Sequence, residues 1–203
     1  MTAQTKKIKT SGGIDIVIRE PSPSGDLDRL VSFFSSLPPK VKNYLRYDAT
    51  DRSVCQSRLS VVDDKNHWRL IAEIDGDIVA DATLDREPFG WTRHVAHLRV
   101  VLDPEFAQKG IKTALIRELV ERGGDAGVER FYVEVLKHQK NLIASLESIG
   151  FTYEATRKNF AKDAKGRAHD VVILSNDRGA IWSKLVSQIE DADLRVTQIM
   201  GNA

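Results

Sequence analysis

The chain has 203 residues, 41% of them hydrophobic and 29% charged, with a formal net charge of +1. That length and balance suit one folded domain with a full core, with or without a terminal appendage, and so small a net charge supplies no field to gather nucleic acid or an anionic membrane. A single cysteine, Cys55, excludes an internal disulfide, and no apolar stretch approaches the roughly 20 residues needed to cross a bilayer.

Residues 1–13 are polar, lack the apolar centre of a signal peptide and end in Ser11-Gly12-Gly13, so they read as a loose leader on a cytoplasmic protein. Ile14, Ile16 and Ile18 then alternate with Asp15 and Val17 as a strand does, up to Pro21 and Pro23. Ser24 predicts a helix start, and Leu27, Leu30, Val31, Phe34 and Leu37 follow at helical spacing. Pro38-Pro39 closes that helix and seeds the next. Lys40 to Asp63 reads as helical again, with Val41, Tyr44, Leu45, Val54, Cys55 and Leu59 on it. Cys55 is expected as a small buried hydrophobe.

After Asn66 the period shortens. Trp68–Ile74 and Ile78–Leu84, joined through Asp75-Gly76-Asp77, predict a hairpin, and Val95–Leu102 is the clearest strand, ended by Pro104. From Gly110 the apolar positions Ile111, Ala114, Leu115, Leu119 and Val120 mark an amphipathic helix, stopped by Gly123-Gly124. Arg130–Leu136 reads as a strand and Asn141–Ile149 as a short helix closed by Gly150. Phe151–Phe160 and Ala168–Leu174 form a last hairpin turning at Asp163–Gly166. In the tail, Ile181, Trp182, Leu185, Val186 and Ile189 share a helical face that packs on its own domain or, as the sharper alternative, on a second copy.

The chemistry concentrates between His97 and Leu115. A helix start carries unsatisfied N–H groups and a partial positive charge, which suits an anion. Gly110 allows close backbone approach, and Lys109 and Lys112 add positive charge where a bare helix would prefer acids. A tight turn with two solvated lysines explains the same residues, and on these residues alone the two readings stand level. Strand parity puts Val95, His97, Arg99 and Val101 on one face, away from Ala96, Leu98 and Val100. No Cys/His cluster has zinc spacing, and His67, His94, His138 and His169 are scattered. Glu134 reads as an ion-pair partner placed where it could support a base or an amine. Tyr44, Tyr47 and Tyr132 read as packed rings with wet hydroxyls.

The run Ala96 to Leu115 resembles motif A of the GNAT superfamily, the acyl-CoA-dependent N-acyltransferases. In that motif an apolar strand and a Pro or acidic loop lead to Arg/Gln-x-x-Gly-x-Gly/Ala at the start of a helix. Asn141 to Phe151 resembles the later family helix with its Gly-Phe ending, and Asp170 to Leu174 resembles the last strand. Ile18-Arg19-Glu20, Leu37-Pro38-Pro39 and Tyr44-Leu45-Arg46-Tyr47 are similar to the entry of GNAT modules in bacterial protein lysine acetyltransferases. The resemblance covers residues 14–174 and leaves 175–203 as a helical tail.

It implies an α/β (α+β) fold, with a mixed, mostly antiparallel sheet of about seven strands flanked by helices. It also implies acetyl-CoA as co-substrate and transfer of acetyl by direct attack of a primary amine, on a small molecule or a protein lysine. Val100, Val101 and Leu102 would pair the pantetheine arm, and Gln108, Lys109, Gly110, Ile111, Lys112 and Thr113 would cradle the pyrophosphate. His97 stands where members carry a general-base Glu, and an ordinary imidazole pKa of about 6.5 would let it serve. No metal, nucleic acid or membrane is implied. Three departures support an alternative, a module that holds acyl-CoA or a protein partner without turnover. Ala107 replaces the first Arg/Gln, Lys112 the second small residue, and Leu146 the Tyr that protonates the departing thiolate.

Overall fold

The computed structural model describes residues 5–43, 45–62, 65–163 and 165–187. Eight strands, β1 (Lys6–Lys9), β2 (Asp15–Arg19), β3 (His67–Ile74), β4 (Asp77–Arg86), β5 (Val95–Leu102), β6 (Arg130–Leu136), β7 (Thr152–Lys162) and β8 (Ala168–Asp177), form one sheet. Their order is β1-β2-β3-β4-β5-β6-β8-β7, and every neighbouring pair is antiparallel except β5–β6. The parallel step requires a crossover, which α4 (Ile111–Asp125) supplies between those two strands. The other helices are α1 (Leu27–Ser36), α2 (Pro39–Lys42), α3 (Arg52–Ser60), α5 (Lys140–Ser148) and α6 over residues 178–187.

Alternation along each strand feeds two apolar layers. On one face Leu70, Ala82, Leu84, Ala96 and Leu98 pack with Ile111, Leu115 and Leu119 of α4, with Leu146 of α5 and with Ile181 and Leu185 of α6. On the other, Leu30 and Phe34 from α1, Leu37 just after it, and Cys55 and Leu59 from α3 pack with Ile71 and Val101. The expected parity of β5 therefore holds, and Cys55 is a buried hydrophobe as read. Ile181 and Leu185 are fully covered by the chain itself; Ile189 lies outside the described residues. Among those residues no helix is long and apolar enough to cross a membrane.

Three expectations change. The leader is not loose: Lys6–Lys9 pairs with β2, and Lys6 Nζ lies 2.7 Å from Glu118 Oε2 on α4. The helix expected across 40–63 is two helices. Asp51 breaks it by capping α3, its Oδ1 accepting from the amides of Ser53 at 2.8 Å and Val54 at 3.2 Å. Finally, Gly123-Gly124 does not stop α4, which runs to Asp125. Gly123 is there for packing, since a Cβ on it would fall 2.5 Å from Leu84 Cδ2 and 3.3 Å from Phe131 Cε1.

A buried ionic knot fixes where α1 leaves β2. Arg19 donates to Asp26 Oδ2 at 2.6 Å and to Glu73 Oε1 at 2.6 Å, and Asp26 also accepts the Ser22 amide at 2.7 Å. The Arg19 hydrogen bond, ahead of burial and the Ser22 amide, sets the Asp26 carboxyl at about 2.

Candidate active site

The sheet comes apart at its centre. β5 and β6 pair only through Val95, Ala96 and His97 with Arg130, Phe131 and Tyr132. Each strand nevertheless keeps its outer partner to the end, β5 with β4 as far as Leu102 and β6 with β8 as far as Leu136. The inner edges of 98–102 and 133–136 are therefore left facing one another across a gap. A cleft of about 340 Å³ occupies it, lined by residues from both faces of the sheet. Leu98, Val100, Leu102, Ile116 and Leu146 line it on the α4–α5 side, and Tyr47, Arg46, Asp81, Thr83, Arg99 and Glu134 on the α1–α3 side. A larger recess of about 550 Å³ lies at the far end of β5, beside Arg86, Trp91 and Glu129, away from the groups described next.

At one mouth of the cleft stands the start of α4. Its N-cap is Gly110, at φ 78° and ψ −4°, and no side chain caps the helix. The first ladder bond runs from the Ala114 amide to the Gly110 carbonyl at 3.1 Å, so the amides of 111–113 lie ahead of it and leave the positive helix end open to an anion. Gly110 is obligatory on two counts. Its φ is left-handed, and a Cβ would sit 2.5 Å from Ser11 Oγ, because the β1–β2 turn packs against this loop. Gln108 holds φ 63° without being glycine, a strained turn of the kind retained where backbone must be aimed. Lys112 reaches along the cleft wall, and burial lowers its pKa. Ala107 and Leu146 also line the cleft; neither brings a polar side chain, as the sequence departures foresaw.

His97 lies behind the cleft, in the short paired stretch. Its ring stacks on Tyr132 with centroids 4.5 Å apart and planes 9° from parallel. Burial first, then the charges of Arg99, Arg46 and Arg157, bring its pKa down to about 3. An imidazole so held is neutral at physiological pH and a feeble proton acceptor. Glu134 and Asp81 are the carboxylates that line the cleft, and Asp81 is taken up by Arg69 at 2.6 Å. Glu134 is buried, its Oε1 accepts from Arg157 Nη1 at 3.0 Å, its Oε2 faces Arg46, and His97 Nε2 stands 3.9 Å from that oxygen. From the sequence Glu134 reads chiefly as an ion-pair partner. The signal that marks it is a lone charge in the middle of Phe131-Tyr132-Val133-Glu134-Val135-Leu136, an otherwise apolar run on a central strand. Among the described residues no group of His, Cys, Asp and Glu could hold a metal ion.

Residues 29–151 match the acetyltransferase (GNAT) family. The chain is 31% identical over 94 residues to the L-amino acid N-acetyltransferase AaaT of Escherichia coli K12, covering 46% of this chain and 58% of that protein. It is 29% identical over 76 residues to the ribosomal protein bS18-alanine N-acetyltransferase of the same organism, covering 37% and 51%. The matches thus span little more than half the length of these relatives. In fold the chain is similar to Mycobacterium smegmatis RimJ, solved in complex with CoA-disulfide, with a TM-score of 0.74 at 14% identity over 91% of this chain and 93% of that one.

Proposed function

The chain belongs to the acetyltransferase (GNAT) family, whose acyl donor is acetyl-CoA, and from that premise we propose that it transfers acetyl to a primary amine. The observation that carries this reading is the gap between β5 and β6, which joins an uncapped helix start on one face to a buried carboxylate on the other. A thioester supplies an activated acetyl group. The free inner edge of Val100–Leu102 is suited to pair an amide-bearing arm, and Gln108–Thr113 with Lys109 and Lys112 to hold the pyrophosphate.

On the other face, Glu134 meets the incoming ammonium and takes one proton from it. The nitrogen then bonds to the acetyl carbon as the carbon–sulfur bond breaks, and the second amine proton leaves with the thiol. His97 is assigned a positioning role, since it stays neutral behind Glu134 and does not compete for the proton. Holding the two reactants together in the cleft accounts for most of the acceleration, which fits a site with no hydroxyl at Leu146. Protein lysine as acceptor rests only on the resemblance of the entry helices.

Isothermal titration with acetyl-CoA and a thiol-release assay over a set of primary amines test the proposal. Binding with amine-dependent release, abolished in Glu134→Gln, is the expected result. Tight binding with no release from any amine would leave the chain a coenzyme-holding module, the reading that Ala107, Lys112 and Leu146 favour.

A further inference from the structure

β1 is an edge strand beside β2, yet the β1–β2 hairpin is tied to α4 and its entry loop at three places. Lys6 Nζ lies 2.7 Å from Oε2 of the buried Glu118 and 3.4 Å from Glu121 Oε2. Just past β2, Glu20 meets Arg122. Between these ties the hairpin turn comes down on the loop that opens the helix. A Cβ on Gly12 would fall 2.8 Å from the Lys109 carbonyl oxygen and 2.9 Å from Lys109 Cα, and one on Gly110 would fall 2.5 Å from Ser11 Oγ and 3.1 Å from the Ser11 nitrogen. Two glycines thus let two backbones lie directly against each other. The turn holds its own shape, the Thr10 amide donating to the Ile14 carbonyl at 2.9 Å and the Gly13 amide to the Thr10 carbonyl at 2.8 Å. Ile8 and Ile14 seat it on the core that contains Ile111 and Leu115.

We propose that this hairpin is a working part of the coenzyme site, a clamp that holds the backbone of 108–110 so that the amides of 111–113 stay aimed at the pyrophosphate. Positive-φ backbone persists where its surroundings over-determine it. Gln108 at φ 63° and Gly110 at φ 78° bracket Lys109, the residue on which Gly12 rests. Donors fixed in advance lose no freedom when the anion arrives, so the clamp converts packing outside the cleft into affinity within it. Lys6, Ser11 and Gly12 are positioning residues on this account, since they act through the loop and touch no reacting atom. The inference rests on acetyl-CoA as the coenzyme, and on neither the acceptor nor the base.

The test titrates the native protein, Gly12→Ala, Lys6→Met and Lys6→Arg calorimetrically with CoA and with pantetheine, which keeps the arm and lacks the pyrophosphate. Gly12→Ala sets a methyl against the Lys109 backbone. It should weaken CoA about tenfold, the lower end of what one hydrogen bond to a charged group is worth, and leave pantetheine unchanged. Lys6→Met should weaken CoA in the same selective way, and Lys6→Arg should restore it. Should Gly12→Ala not fold, the Lys6 pair decides by the same comparison. Native CoA affinity in both Gly12→Ala and Lys6→Met overturns the inference and leaves the coenzyme site standing. Equal losses for CoA and pantetheine also overturn it, because they mark a general loosening of the fold. No CoA binding by the native protein overturns the coenzyme reading and the inference with it.

Discussion

Acidification from pH 7 to pH 5 interrogates the setting of His97 directly. In the unfolded chain a histidine titrates near 6.5, whereas burial and the charges of Arg99, Arg46 and Arg157 hold this one at about 3 in the fold. Below pH 6.5 the unfolded chain therefore binds a proton that the folded chain refuses. The stability tied to His97 is complete above about pH 6.5 and is lost as pH falls from there towards 3, at about 1.4 kcal/mol per pH unit. Between pH 7 and pH 5 the loss is about 2 kcal/mol, and by pH 3 about 4 kcal/mol. Urea unfolding of the native protein and of His97→Phe, each at pH 7 and pH 5, isolates the group, because phenylalanine keeps the stack on Tyr132 and cannot titrate. The native protein should lose about 2 kcal/mol more than the variant across that interval. Equal losses would refute the burial argument and restore His97 as a candidate base.

Other substitutions probe other parts of the fold and site. Gly123→Ala gains helix propensity but drives a methyl into Leu84 and Phe131, so a net destabilisation of about 1–2 kcal/mol is expected in urea unfolding; neutrality would mean that the α4–sheet contact gives way. Asp26→Ala leaves Arg19 without one of its two buried partners and should cost about 3 kcal/mol. Because the folded carboxyl sits at about 2, below its unfolded value, Asp26 stabilises the native chain above pH 4 and ceases to as pH falls through 2. Lys112→Met keeps the stem and removes the charge, and calorimetry should show CoA binding weakened about tenfold. Tighter binding would mean that the ammonium obstructs the coenzyme.

The order of the elements was legible because the periods switch cleanly: Val95–Leu102 and Arg130–Leu136 were readable to the residue as strands. What escaped was whatever depends on neighbours distant in sequence. Lys6–Lys9 looks like a polar leader until Glu118 and Glu121 are seen waiting on α4. Gly123-Gly124 carries a helix-stop signature, and only the closeness of Leu84 shows that the helix must continue past it. At the Gly110 loop the residues alone stand level between an anion site and a tight turn, because helix starts and glycines carry local meaning for both. The cluster on the opposite side of the cleft is not legible in the sequence, since Arg46, Arg99, Glu134 and Arg157 come from four separate segments. The low pKa of His97 belongs to that assembly and not to any neighbour along the chain.

The parallel join at Val95–His97 leaves the sheet as a partly undone zipper, two panels whose strand pairing across the join is three residue pairs. Whatever fills the opening acts as a strut between the panels. It adds to global stability by mass action, about 2.7 kcal/mol at a hundredfold excess over its dissociation constant. Amide exchange at 98–102 and 133–136 should therefore slow together when the strut is in place, and the protein should be at its most fragile when purified away from its coenzyme.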